Sequence, residues 1–226
     1  NTLNVSVKTV SKAFTKNTKA VVAVHLYGMP APMKEIMELA KKKKIKVIED
    51  CAQAVGAMID GKHVGTFGDV GCFSFYPTKN LAAMGDGGVV VTNSKMLADR
   101  LKRLRMYGEN VRYHSLEVST HSRLDEVQSA ILRVRLKNLT SELEEREKSA
   151  DEYISKLPAD LLIPRIIPES IKHAFHLFVV RTNKRDEIRG YLTRRGIETG
   201  IHYPMPIHLQ PAFEYLGYKE GDLPKP

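Results

Sequence analysis

Apolar positions along the chain fall into two periods. Ala20 to Leu26 (AVVAVHL) is an unbroken apolar run rich in β-branched residues, the mark of a strand buried on both faces. Tyr27-Gly28-Met29-Pro30 reads as a turn. From Met33 to Lys44 the spacing of Ile36, Met37, Leu39 and Ala40 predicts an amphipathic helix. Ile45 to Ile48, ended by Glu49-Asp50, is the next strand. Strand, helix and strand at this spacing make a βαβ unit, which implies parallel strands and a right-handed crossover. Ahead of it, Val5 to Phe14 carries a weaker helical pattern with Ser6 as its cap. After it, turn signals at Asp60-Gly61 and from Gly65 to Gly68 predict a small hairpin within 57–71. Two more β-runs follow, Phe73 to Tyr76 and Val89 to Thr92.

Helical spacing returns from Ser94 to Tyr107, with Ser94 as cap and Leu97, Leu101 and Leu104 on one face. Residues 108–120 read as a polar loop with tyrosines. From Ser122 to about Ile154 there is no Gly or Pro, and Leu124, Val127, Ile131, Leu132, Val134, Leu136 and Leu139 keep helical spacing. That predicts one long helix, or two joined end to end. Beyond Pro158 the expected elements are a strand (Phe175 to Arg181), a helix (Lys184 to Arg195, stopped by Gly196) and a strand (Ile197 to Tyr203). The fold class expected is α/β: a mainly parallel sheet domain over 1–125, then the long helix and a small α+β domain over 126–226.

Composition changes this picture little. Hydrophobic and charged fractions of 42% and 27% are those of an ordinary globular protein. No apolar run approaches a bilayer span, and the N-terminus has no signal-like apolar core, so no membrane partner is expected. Cys51 and Cys72 lack CxxC or Cys/His metal spacing, which predicts buried free thiols in a reducing cytoplasm. The net charge of +9 is dispersed apart from Lys41 to Lys44 at a helix end. Without a nucleic-acid motif it suits an anionic small molecule better than a nucleic acid. His202 and His208 have no carboxylate or thiol at ligand spacing, so no metal is expected, and His208 reads as a structural histidine in a Pro-braced loop.

Chemistry gathers around Phe73 to Gly88 (FSFYPTKNLAAMGDGG). Lys79 is the only basic residue between His63 and Lys95. An apolar neighbourhood favours the neutral amine, a nucleophile toward carbonyls, although a lone lysine in a turn reads more readily as solvated. Ligands of open parallel sheets sit beyond the carboxyl ends of strands, and three such ends carry polar groups: His25, Asp50 with Gln53, and Ser74 with Lys79. A lysine paired with a carboxylate is what pyridoxal phosphate requires, one for the Schiff base and one for the pyridine nitrogen. The Ser74 hydroxyl can serve the phosphate. Asp50 alone reads equally as a turn or capping residue.

Five blocks, in order, resemble the DegT/DnrJ/EryC1/StrS family of sugar aminotransferases: IEDCAQAVGA (48–57), GDVGCFSFYPTKNL (68–81), GDGG (85–88), SRLDEVQSAILRVRL (122–136) and GIETGIHYPMPIHLQPAFEYLGY (196–218). The resemblance covers essentially the whole chain. It implies a fold-type I, aspartate-aminotransferase-like architecture and a homodimer with shared active sites. Lys79 would form the Schiff base and carry the proton between donor Cα and cofactor C4′. Asp50 would pair with the ring nitrogen, Gln53 lie near the ring and its 3-oxygen, and Ser74 bind phosphate. The wording is most similar to enzymes acting at C3 of dTDP-3-keto-6-deoxyhexoses, with L-glutamate as the expected donor. Residues at the positions of Tyr76, Arg112, His202 and Tyr203 line the nucleotide-sugar pocket there, the last three from the partner subunit. The chain departs from the family at His121-Ser122-Arg123, where Asn-Xaa-Arg is usual and the Asn reaches across the dimer to the cofactor phosphate; His121 is the candidate for that contact. It also lacks the first part of the large domain and the final segment that family members have, so it is expected to be a fragment. Lysine at position 79 sets it apart from the family's dehydratase branch. A catalytically inert regulatory or binding protein on the same fold is the alternative.

Overall fold

A computed structural model of the chain describes residues 2–161 and 167–223. It opens with α1 (Val7–Ala13), where Ser6 and Thr9 form a reciprocal capping box, an arrangement that stabilises a helix start by about 1 kcal/mol. Strand β1 (Ala20–Val24), helix α2 (Met33–Lys43) and strand β2 (Lys46–Asp50) build the expected βαβ unit. β1 and β2 pair in parallel from Ala20↔Lys46 to Val24↔Asp50. Lys41, Lys42 and Lys43 occupy the last turn of α2, where cations complement the helix dipole.

The hairpin of β3 (Met58–Ile59) and β4 (Lys62–His63) follows. Strand β5 (Val70–Ser74) then runs parallel to β2, and β6 (Gly88–Val91) returns antiparallel to β5. The main sheet therefore has the order β1-β2-β5-β6, mainly parallel with one antiparallel edge. β5 begins three residues before the expected run and stops at Ser74, because Phe75 N–H turns to Gly87 O and Ala83 N–H to Phe75 O. Helix α3 (Lys95–Leu104) is capped by Ser94, as expected. Residues 108–120, expected as a loop, contain a short hairpin of β7 (Glu109–Val111) and β8 (His114–Ser115). Gly108 starts it at φ +73, where a Cβ would collide with Glu117 O.

Two helices joined end to end, α4 (Glu126–Leu136) and α5 (Leu139–Lys156), fill the Gly/Pro-free stretch. Both contribute to the core: Leu132 packs with Val55, Leu81 and Ala83, and Leu143 with Cys51, Ala54, Ala57 and Val64. For this reason the chain divides into compact units at Asn1–Val179 and Val180–Pro226, later than the boundary expected near 125. Strand β9 (Ile171–Lys172) joins the first unit by pairing with β3.

Neither Phe175 to Arg181 nor Ile197 to Tyr203 forms the expected strand. At the first, the amides of Ala174, just before it, and Leu177, within it, bond to Gly28 O and Tyr27 O, so the backbone is tied to a turn rather than a ladder. The second leaves Ile197 and Tyr203 exposed and offers no face to bury. The second unit holds α6 (Arg185–Thr193), followed by Gly196 at φ +75, and 3₁₀ turns over Ile207–Leu209 and Pro211–Leu216. No helix among the described residues is long and apolar enough to cross a membrane.

The two faces of the main sheet differ. Ala23, Val47 and Glu49 point inward and are fully buried, with α2 packed over Ala23 and Val47. Side chains alternate along a strand, so Val22, Val24, Ile48, Asp50, Cys72, Ser74 and Val90 share the opposite face. Val22 there is 54% exposed and Val90 45%. Among the described residues β1 pairs only with β2, and the burial expected on both of its faces is seen on one.

Candidate active site

On the open face, register places the polar groups together. Asp50 ends β2 and pairs with Cys72 of β5; Ser74, two residues on, is the next β5 side chain on that face. Adjacent strands lie about 4.8 Å apart, which brings both strand ends within the reach of one small ring system. Asp50 is half-buried, and its Oδ1 accepts the Ala52 N–H at 3.0 Å. This is the turn role a strand-end aspartate often takes, and it uses one oxygen only. Ser74 Oγ accepts the Tyr76 N–H at 3.2 Å, so its own O–H stays a donor.

Lys79 stands at a seam. Tyr76, Pro77 and Thr78 before it are exposed, whereas Asn80, Leu81, Ala82 and Ala83 after it are buried. Lys79 N–H closes a turn onto Tyr76 O at 2.8 Å. Among the described residues the Lys79 amine makes no ion pair or hydrogen bond, and the side chain is half-buried. Gln53 lies three residues past Asp50, where its Oε1 accepts the Tyr27 N–H at 2.6 Å. The thiols around this end are unreactive. Burial, with Asp50 beside it, pushes Cys72 up, and burial with Glu49 and Asp50 nearby raises Cys51 further. Both are free cysteines.

His25, expected among the polar strand ends, serves the inner face instead. Its Nδ1 accepts the Ala31 N–H at 3.0 Å, so Nε2 carries the proton and donates to Glu49 Oε2 at 3.2 Å. Glu49 also accepts from Gly65, Phe67 and Gly68 N–H at 2.8, 2.7 and 2.6 Å. Burial opposes a charged Glu49, but the bonds from His25, Gly68 and Gly65 outweigh it and hold the carboxyl below its usual range. His25, Glu49 and Cys51 bring potential metal donors within 4.8 Å of one another. The imidazole has both nitrogens engaged and the carboxylate four donors, which describes a clamp on the 65–68 turn rather than a metal site.

The remaining expected residues lie elsewhere. Tyr76 is exposed beside Lys79. Arg112 sits at the β7–β8 turn with its guanidinium 4.9 Å from the Tyr113 ring. His121 stacks on Tyr107 at 5.3 Å, and its Nε2 accepts from Arg123 Nε, which leaves Nδ1–H as the donor it could offer an anion. In the second unit, His202 and Tyr203 meet edge to face at 5.4 Å, as do His208 and Tyr218 at 6.1 Å. Sequence reasoning missed three residues near the site. Glu49 was legible as a charge on the inward row of β2. Asn80 and Gln128, which fixes the glycine turn by bonding Met84 N–H and O, gave no signal of their own.

A groove of about 1430 Å³ runs along β6 and α3, lined by Cys72 and Val90 of the open face and by Arg105 and Arg123. In donor chemistry, the β2 and β5 ends fit pyridoxal phosphate: an unpaired amine, a carboxylate with one oxygen outside the backbone network, and a hydroxyl donor. Asp50, Ser74 and Lys79 would hold it, with Gln53 beside them.

The chain resembles known proteins along its whole length. The model of the DegT/DnrJ/EryC1/StrS aminotransferase family matches residues 1–226. The chain is 46% identical to dTDP-3-amino-3,4,6-trideoxy-alpha-D-glucose transaminase of Streptomyces venezuelae over 96% of its own length and 57% of that protein. It is 43% identical to a "Pleiotropic regulatory protein" of Geobacillus stearothermophilus, over 99% of the chain and 61% of that protein. Among solved structures, S. venezuelae DesV in complex with a ketimine intermediate superposes with a TM-score of 0.92 at 45% identity, covering 97% of this chain and 60% of DesV. The chain thus spans less than two thirds of these relatives. Over its whole length, it belongs to the DegT/DnrJ/EryC1/StrS aminotransferase family.

Proposed function

We propose that the full-length protein is a pyridoxal-phosphate-dependent aminotransferase. It moves an amino group from an amino acid, L-glutamate, to C3 of a dTDP-3-keto-6-deoxyhexose, and works as a homodimer in the cytoplasm. The observation that carries this reading is Lys79: an amine without a partner among the described residues, in the turn that follows β5, the strand whose Cys72 pairs with Asp50. The dTDP-sugar transaminases among its relatives support the substrate class. The free thiols fit a reducing compartment.

Pyridoxal phosphate supplies an aldehyde for an amine and a ring that takes up the electron pair of a carbanion. The chain's own residues do the rest. Lys79 would give the attacking amine and, when free, would hold and move the proton between the donor Cα and the cofactor C4′. Asp50 would hold a proton on the ring nitrogen through its second oxygen. Ser74 would donate its O–H to the phosphate, with Gln53 near the ring. By the family resemblance, Tyr76 would line the nucleotide-sugar pocket together with Arg112, His202 and Tyr203 supplied by the other copy of the dimer, and His121 Nδ1–H would reach the phosphate across that dimer. An arginine at 112 can meet a diphosphate as a fork. An inert regulator, the reading that the Geobacillus relative's name suggests, has no use for a carboxylate and a hydroxyl on one face of paired strands with an unpartnered lysine in the turn that follows.

Full-length protein mixed with pyridoxal phosphate is expected to gain an absorbance band near the visible edge that Lys79→Ala abolishes. A wild type without the band sinks the proposal. A screen with glutamate against 3-keto and 4-keto dTDP-deoxyhexoses then decides the carbon: turnover confined to the 4-keto sugars contradicts C3.

A further inference from the structure

Resting on the reading of Lys79 as the cofactor lysine, we propose that Asn80 is its positioning residue. The Asn80 side-chain amide ties the Lys79 turn to the 173–177 segment and so fixes where the amine points.

Asn80 is 5% exposed and follows Lys79 directly. Its two polar groups work in opposite directions. Nδ2 donates to Ala174 O at 2.7 Å, and Oδ1 meets His176 Nδ1 at 3.3 Å. A donor facing a carbonyl and an acceptor facing an imidazole N–H leave the amide one orientation. Aspartate, of the same shape, offers no donor to Ala174 O, and leucine offers neither group. The Lys79 turn is therefore held on both sides, by Tyr76 O through the backbone and by the 173–177 segment through Asn80.

That segment is itself firmly fixed. Phe175 sits at φ +41, a conformation that costs a bulky residue about 1–2 kcal/mol and persists only where its surroundings impose it. They do so here. His173 Nδ1 accepts the Phe175 N–H at 2.8 Å, and the two rings stack at 4.1 Å. Arg146 Nη1 donates to Phe175 O at 3.2 Å. Ala174 N–H donates to Gly28 O at 2.9 Å. Gly28 has φ +98, and a Cβ there would lie 3.0–3.1 Å from Phe175 N, Gln53 O and His176 N. Three segments thus converge on a point with no room for a methyl group.

The convergence reaches both sides of the cofactor site. Leu177 N–H donates to Tyr27 O, and Tyr27 N–H to Gln53 Oε1. From Gln53 through Tyr27 and Ala174–Leu177 to Asn80, one hydrogen-bonded chain sets the Lys79 turn in register with the Asp50–Gln53 end of β2. A turn that carried a lysine only for solvation would need no such tie. An amine that must approach an aldehyde along one line does, since a displacement of about 1 Å can slow a reaction by 10²-fold.

The test separates binding from the lysine's reach. Full-length wild type, Asn80→Asp and Asn80→Ser are titrated with 4′-deoxypyridoxine phosphate, which has no aldehyde, and then mixed with pyridoxal phosphate to follow growth of the lysine band. Asn80→Asp and Asn80→Ser are expected to bind the analogue within about threefold of wild type while the band grows about tenfold more slowly or worse. Band growth at the wild-type rate overturns the proposal, as does a slowing no greater than the loss of analogue binding. Where neither variant folds, hydrogen exchange of the wild type decides. The amides of 79–83 and 174–177 are expected to open together, and unrelated opening rates contradict the tie. A wild type that forms no band defeats the cofactor reading itself, a result distinct from either of these.

Discussion

Glu49 and Asp50 are neighbouring carboxylates on one strand, and they have opposite fates. Glu49 points inward, is fully buried and accepts four hydrogen bonds, one from His25 and three from the 65–68 turn. Asp50 points to the open face, is half-buried and commits one oxygen to Ala52 N–H. The same division runs through the sheet. The inner row of Ala23, Val47, Glu49 and Gly71 is closed; a Cβ at Gly71 would lie 2.4 Å from Gly65 Cα. The outer row carries Asp50, Ser74 and exposed valines. A strand's period of two puts packed, fully bonded side chains on one side and polar groups with free bonding capacity on the other. Adjacent acidic residues therefore need not share a role.

The comparison breaks if the two carboxylates respond alike to loss of charge. Glu49→Gln is expected to destabilise the protein most, by about 3–5 kcal/mol, since an amide NH₂ must then face backbone N–H donors or His25 Nε2–H. Denaturant melts of the full-length protein check this, and a loss below about 1 kcal/mol would dissolve the clamp.

Acid should expose the closed side next. Burial holds His173 down at about 4 from an ordinary 6.5, so folding favours the neutral ring that accepts Phe175 N–H. The stability tied to a lowered pKa is complete above 6.5 and is lost as pH falls toward 4, by roughly 3 kcal/mol in all. Glu49, lowered from 4.5, adds its own loss only below that value. Melts between pH 7 and 4.5 should slope downward in wild type and less in His173→Gln, whose carbonyl can still accept from Phe175. Equal slopes would remove His173 from the account.

On the open side the effect should move from stability to chemistry. Asp50→Asn keeps an acceptor for Ala52 N–H, so folding is expected to change by less than about 0.5 kcal/mol. Amination should fall on the order of 10²-fold or more, with the ring nitrogen no longer held protonated. Comparable turnover in Asp50→Asn and wild type would show that the carboxylate does not face the ring.

How much of this was legible depended on whether the signal was local. The βαβ unit and the caps Ser6 and Ser94 follow from periodicity and short motifs, and the structure contains each of them. A β-branched run does not record which neighbours its strand has: among the described residues β1 pairs with β2 alone. Phe175 to Arg181 looked like a strand, yet its Leu177 amide and that of Ala174 before it bond to a turn almost 150 residues earlier, a choice no local pattern records. His25 looked like a site residue until Glu49 and Ala31 claimed both its nitrogens. Asn80 stayed invisible because its partners lie 94 and 96 residues away.

The central claim is that the open strand ends hold a cofactor through Lys79. Borohydride reduction of full-length protein with pyridoxal phosphate, followed by peptide mass mapping, tests it most directly. One stoichiometric adduct on the peptide containing Lys79, absent in Lys79→Ala, is the predicted result. An adduct spread over surface lysines, or none on that peptide, would contradict it.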